Sequence, residues 1–194
     1  MILVWLPLAY LVGALPWSVW LGRLFFHADP RAEGDHNPGA ANAFRAAGWR
    51  LGASVLLLDF SKALIPVALG RWVAGFSGFQ LFWLALMPTL GHAFSPFLRF
   101  RGGRGIVVIF GVWTALTLYQ VPILLGLTAI IVSLLIKNAE TRSLALPIAL
   151  LGYLALTHAQ GWMFALAAAQ MLVLCSKIGV YLLEQRRARR LGAS

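Results

Sequence analysis

Residues 104–137 read RGIVVIFGVWTALTLYQVPILLGLTAIIVSLLIK, and no charged side chain separates Arg104 from Lys137. A helix crosses a bilayer with about 20 predominantly apolar residues. This run therefore suffices for two short crossings, over 104–120 and 121–137, parted where Tyr119, Gln120 and Pro122 interrupt it. Apolar runs with polar or proline-containing breaks recur near 1–26, 51–73, 76–95, 143–159 and 161–183. Composition agrees, since 60% of the 194 residues are hydrophobic and 11% are charged, whereas a soluble domain carries about 25% charged residues. The expectation is an all-α integral membrane protein of about seven transmembrane helices, forming a single domain over 1–194. The first run lacks a basic flank and a small-residue cleavage site, so it reads as a retained span and not as a signal peptide.

The net charge of +10 is distributed unequally along the chain. Arg31, Arg45 and Arg50 follow the first run, Arg99, Arg101 and Arg104 the third, and Lys137 and Arg142 the fifth. Arg186, Arg187, Arg189 and Arg190 form a basic tail, while the alternate loops hold Arg71 and little else. Basic loops remain cytoplasmic, which puts the N-terminus outside and the C-terminus inside. Set between apolar runs, these charges suit anionic headgroups and anionic substrates, and nucleic acid is not an expected partner. Cys175 lies within an apolar run, and ligand-type residues do not cluster at metal spacing, so neither a metal nor a cofactor is expected. There is no Walker loop and no Gly-x-Ser-x-Gly elbow. Asp59 is the one acid inside a span, which weakens the case for a proton-coupled transporter.

Two polar loops carry the candidate chemistry. Residues 34–45 read GDHNPGAANAFR; such Gly- and Asn-rich backbone forms anion-binding turns, and a helix starting near Ala40 would add donors at its N-terminus. An ordinary turn between two spans explains the same residues. Residues 91–105 read GHAFSPFLRFRGGRG. Two arginines around a glycine turn can clamp a phosphate through guanidinium and backbone N–H groups. A positive-inside signal explains those arginines but not the interleaved glycines. His92 alone is more often a satisfied polar residue than a catalyst. Asp59 and Lys62, one helical turn apart inside a span, either pair with each other or send Lys62 to the cytoplasmic cavity.

In this order, these motifs resemble those of the PlsY-type glycerol-3-phosphate acyltransferases, bacterial inner-membrane enzymes. Gly13 to Pro16 with Arg23, and then Gly34, Asn37, Gly39, Ala40, Asn42 and Arg45, are similar to the family's first pattern. Asp59 with Lys62, Gly91-His92 through Gly105, and Arg142-Ser143-Leu144 match further segments. The resemblance implies a multi-pass membrane protein moving an acyl group from acyl-phosphate to the 1-hydroxyl of glycerol 3-phosphate. The products are lysophosphatidic acid and phosphate, without metal, coenzyme A or acyl-enzyme. It implies catalytic roles for Asn42, Arg45, His92 and Arg104. Substrate contacts are implied for Asp35, Asn37, Gly39, Ala40, Lys62, Gly102, Gly103, Ser143 and Lys177.

The chain departs from the family pattern at particular positions. Asp35 stands where the family has serine, Ala41 where it has threonine, Ala63 where it has glycine, and Arg104 where it has lysine. Near Lys177, the expected His-x-x-Asn segment is absent. Two other readings follow from these changes. One is a non-catalytic relative that binds lipid or phosphate; the other is an acyltransferase whose acceptor hydrogen-bonds Asp35.

Overall fold

A computed structural model describes residues 1–190, the side chains of 188 and 189 excepted. Arg189, counted above in the basic tail, therefore falls outside the described side chains. Eight α-helices follow one another among the described residues: α1 (Ile2–Ala14), α2 (Trp17–Phe25), α3 (Ala40–Trp72), α4 (Gly78–Ala93), α5 (Ile106–Thr117), α6 (Gln120–Leu135), α7 (Ala139–Leu156) and α8 (Gly161–Arg190). Each expected apolar run is helical, the first as the pair α1 and α2 bent by 42°. The bend falls at Pro16, which has no N–H to donate back along the helix. By length and apolarity, α3, α4, α7 and α8 are each able to cross a bilayer, and the bent pair makes a fifth candidate. α5 and α6 are apolar but hold 12 and 16 residues, about 18 and 24 Å at 1.5 Å per residue.

One boundary differs from the sequence expectation. The second apolar run was placed near 51, and α3 begins earlier, at Ala40, where a helix start was one reading of the first polar loop. Its first turns and its apolar length are separated by a kink at Ala47 and Gly48, where Gly48 has φ 72° and ψ −165°. Only glycine adopts that backbone without strain. The short leading piece carries Asn42 and Arg45, so the kink aims these two side chains independently of the long apolar piece.

The helices alternate in direction, and two ends result. At one end, Trp5 meets Phe76 with centroids 5.8 Å apart, and Trp72 Nε1 donates to the Ala115 carbonyl at 3.2 Å. At the other end gather the C-terminal ends of α2, α4 and α8 and the N-terminal ends of α3, α5 and α7. Between them α1 lies directly on α4. A Cβ at Gly13 would come within 2.5 Å of Pro88 Cα, and one at Gly91 would collide with the Tyr10 carbonyl. Small residues let helix backbones approach where lipid supplies no hydrophobic drive between them. Deep in the bundle, Trp113 Nε1 donates to Gln170 at 2.8 Å, and Gln170 Nε2 donates to Thr89 at 3.2 Å, tying α4, α5 and α8.

Candidate active site

The site is assembled around the break in the first span. Pro16 interrupts the helical ladder, and the carbonyls of Ala14 and Leu15 need other donors because none is available from lipid. Ser95 Oγ donates to Ala14 O at 2.6 Å, and Lys62 Nζ donates to Leu15 O at 3.0 Å. The break in α1–α2 is thereby fixed against α3 and against the segment that follows α4.

That segment contains the Arg-Gly-Gly-Arg-Gly turn. Gly102 N donates to Ala93 O and Gly103 N to His92 O, each at 3.1 Å. Arg104 N donates to Asn37 Oδ1 at 3.1 Å. A Cβ on Gly102 would strike the His92 carbonyl, and one on Gly103 would strike His92 Nε2. The glycines thus permit close packing on α4. The expectation that these backbone N–H groups clamp a phosphate is corrected here: the amides of 102, 103 and 104 already hold the turn in place. What the turn offers to a ligand is the side chain of Arg104.

The first polar loop is organised by Asn42, which is 2% exposed. Its Nδ2 donates to Asp35 Oδ1 at 2.7 Å and to Asn37 O at 3.0 Å. Its Oδ1 accepts from Arg45 Nη1 at 2.6 Å. Asp35 lies 2.9 Å from Arg104 Nη2. The chain Arg45–Asn42–Asp35–Arg104 thus links the two loops through side chains. Arg104 also faces Glu140, at the start of α7, at 3.5 Å, and lies over the Tyr181 ring at 5.1 Å. It is buried, so the ion pair is partly withdrawn from water and from salt screening.

Above Arg104 opens a cavity of about 1530 Å³ lined by Asp35, Asn37, Gly102, Arg104 and Lys177, among others. Ordinary ligand pockets hold roughly 300–1,000 Å³, so two substrates have room. Lys177 Nζ donates to the Ala93 carbonyl at 3.0 Å and lies 5.5 Å from the Phe94 ring. One wall is apolar, with Trp20, Phe97, Phe100 and Val180. On the rim, Asp29 accepts from Arg31 Nη2 at 2.7 Å and from Arg23 Nη2 at 2.9 Å. The Arg31 guanidinium holds its carboxyl well below the usual carboxylate range, and Asp29 in turn raises Arg31. An amphiphile with an anionic head and an acyl chain suits a cavity with one cationic side and one apolar side.

Not every residue expected in the site lies together. Asn42, Arg45, Gly39 and Ala40 support the loop from behind the cavity lining. His92 lies beneath the turn. Of the two readings of Lys62, the structure shows the pairing: it is buried beside Asp59 at 2.7 Å and does not line the cavity. Ser143 lines a separate apolar crevice with Ile106, Phe110 and Gln170, and its hydroxyl donates to Ala139 O at 2.8 Å. Sequence reasoning missed Glu140 and Tyr181 as neighbours of Arg104. Glu140 follows the helix cap Asn138, a visible start signal, but its distance to a residue 36 positions away carries no local signature. Among the described residues, no three His, Cys, Asp or Glu side chains gather closely enough to hold a metal ion.

With this geometry established, comparison with known proteins is specific. The family described as Glycerol-3-phosphate acyltransferase matches residues 3–183. The glycerol-3-phosphate acyltransferase of Pseudomonas aeruginosa PAO1 is 40% identical over 145 residues, 74% of each chain. That of Pseudomonas syringae pv. tomato is 42% identical over 142 residues, 73% of this chain and 71% of the other. Among solved structures, PlsY (YgiH), an integral membrane glycerol 3-phosphate acyltransferase, in its glycerol 3-phosphate form has a TM-score of 0.84 at 24% identity, covering 100% of this chain and 94% of that one. Its lysophosphatidic acid form has a TM-score of 0.81 at 22% identity, covering 100% and 93%. At that identity the likeness establishes a shared fold, that of a multi-pass membrane protein.

Proposed function

Because the chain belongs to the glycerol-3-phosphate acyltransferase family, we propose that the cavity around Arg104 and Lys177 transfers an acyl group from acyl-phosphate to the 1-hydroxyl of glycerol 3-phosphate. The observation that carries this reading is the state of Arg104. It is a buried guanidinium at the base of a cationic and apolar cavity, held between the carboxylates of Asp35 and Glu140. The N–H groups that these carboxylates accept are ones a phosphate's oxygens accept as well, so a phosphate reaches Arg104 in competition with Asp35. Asp35 is itself occupied by Arg104, by Asn42 and by the Asn37 N–H at 3.3 Å. That leaves little capacity for an acceptor hydroxyl or amine.

The chemistry needs no protein nucleophile. The hydroxyl oxygen of glycerol 3-phosphate attacks the acyl carbon, and the bond from that carbon to the phosphate oxygen breaks. The hydroxyl proton leaves with inorganic phosphate, and lysophosphatidic acid carries the new ester. Arg104 and Lys177 hold the two anions close enough to react and offset the charge developing on the leaving phosphate. Such positioning supplies about 7–11 kcal/mol in favourable cases. Asn42 and Arg45 keep the first loop in register, and the apolar wall of Trp20, Phe97, Phe100 and Val180 is the side of the cavity suited to the chain.

The same reading sets the topology. The apolar helices cross a bacterial inner membrane seven times, with α1–α2 as one crossing and α5 and α6 as two short ones. The N-terminus lies outside, and the site and the basic tail lie in the cytoplasm. The basic loops all belonging to the site end of the bundle supports this arrangement. A binding experiment tests the site directly. Glycerol 3-phosphate raises the melting temperature of the purified wild type, and Arg104→Ala removes that rise. An equal rise in both proteins contradicts the reading.

A further inference from the structure

Asp59, Lys62 and His92 form a buried cluster that the transfer chemistry above does not use. The Lys62 ammonium has three protons and no lone pair, and three acceptors surround it. These are Leu15 O at 3.0 Å, Asp59 Oδ1 at 2.7 Å and His92 Nδ1 at 2.9 Å. The side chains of Asp59 and Lys62 are each 3% exposed, so water does not compete for these bonds. Because the ammonium can only donate, His92 Nδ1 must accept. The neutral imidazole then carries its one proton on Nε2. Its other side is equally defined, for a side chain at Gly103 would run into Nε2, which places that nitrogen against the glycine turn. A small recess bounded by Lys62, His92, Ser95 and Gly103 lies beside it.

We propose that Asp59 and Lys62 are positioning residues that fix His92 in the Nε2–H tautomer, so that the imidazole serves the site as a hydrogen-bond donor and not as a general base. The proposal rests on the acyl-transfer reading for what His92 serves, but the tautomer itself does not depend on it. A ring nitrogen that already bears a proton cannot remove one from the acceptor hydroxyl, which agrees with that proton leaving on phosphate. Asp59 has a defined part in this arrangement. A lone buried ammonium is strongly unfavourable, and the carboxylate neutralises it. Leu15 O and His92 Nδ1 can then share the remaining two protons. The broken first span and the histidine are thus oriented by the same lysine. A partner that holds one ring nitrogen in this way sets what the other can do.

Lys62→Met keeps the length and apolar volume of the side chain but removes the donors. His92 Nδ1 then has Asp59 Oδ1, 4.0 Å away, as its nearest partner, and that carboxylate calls for a proton on Nδ1. Nitrogen NMR of the full chain, labelled in its histidine rings and held in lipid nanodiscs, reads the tautomer, with His92→Gln assigning the signal. Wild type is expected to give a protonated Nε2 and a bare Nδ1, and Lys62→Met is expected to move the proton to Nδ1. In steady-state kinetics, Lys62→Met should lower kcat by about tenfold or more, the usual effect of losing an orienting partner. KM for glycerol 3-phosphate should stay within about threefold, since no substrate contact is lost. A wild-type His92 protonated on Nδ1, or a tautomer unchanged in Lys62→Met, overturns the proposal. The wild-type spectrum needs no variant, so misfolding of Lys62→Met leaves the proposal testable. If wild type makes no lysophosphatidic acid, the acyl-transfer reading fails while the spectrum still decides the tautomer.

Discussion

Asp35→Ser tests how the site treats its own negative charge. In the structure Asp35 lies 2.9 Å from Arg104, with side chains 20% and 10% exposed, so an incoming phosphate must either displace the carboxylate or bind beside it. Displacement forfeits a hydrogen bond to a charged group, about 1.5–3 kcal/mol. Binding beside it costs about 4 kcal/mol of repulsion at 4 Å with an effective dielectric of 20. The cheaper route sets the expected gain, so removing the carboxylate should improve apparent affinity for glycerol 3-phosphate roughly tenfold to hundredfold. Glu140 still faces Arg104 in the variant and keeps the gain toward the lower end. Asn42 loses one acceptor but retains Asn37 O at 3.0 Å, so the loop should hold. The assay is the initial rate of lysophosphatidic acid formation over a range of glycerol 3-phosphate at fixed acyl-phosphate, with Asp35→Asn as the control that removes charge but keeps shape. Both variants should lower KM, and because the pair is partly withdrawn from screening, most of the gain should persist as salt rises. A raised KM in both, or loss of turnover, refutes the idea that Asp35 competes with phosphate for Arg104.

Other expectations follow from the packing and the charges. Gly103→Val should destabilise the protein by about 1–3 kcal/mol, the usual range for overpacking, and should abolish turnover because its side chain runs into His92; a fully active, fully stable variant would show the turn to be loosely packed. Asp29 contributes stability that is present above its unfolded value of about 4 and is lost as pH falls through its depressed folded value. Asp29→Asn should therefore lower the melting temperature near neutrality and flatten its fall below about pH 4, which a thermal series across pH measures. A reporter after Ser194 should read cytoplasmic and one near Gln160 external; a cytoplasmic signal at both removes the seven-crossing arrangement.

Much of the fold was legible because lipid imposes a simple rule: each apolar run long enough to matter had to become a helix, and each did. Boundaries were less legible. A helix start near Ala40 was one reading of the alanine-rich 40–46, but nothing in its composition announces that the helix breaks at Ala47 and Gly48 before the apolar length begins. In the site, Arg104 and Asp35 were visible as charges out of place among glycines and asparagines, and the structure joins them. The amides of 102, 103 and 104 are taken by Ala93 O, His92 O and Asn37 Oδ1, acceptors in the preceding helix end and the first loop that leave no mark in the turn itself. Lys62 illustrates the same limit. Its spacing from Asp59 was readable, but its bonds to Leu15 and His92, 47 and 30 positions away, depend on how three helices meet.

The most direct test is turnover by the reconstituted protein, with acyl-phosphate and glycerol 3-phosphate as the sole substrates. Lysophosphatidic acid and inorganic phosphate should appear in equal amounts, stop in Arg104→Ala, and fail to appear when an acyl thioester replaces acyl-phosphate. Product formed from the thioester, or phosphate released without lysophosphatidic acid, would contradict the account.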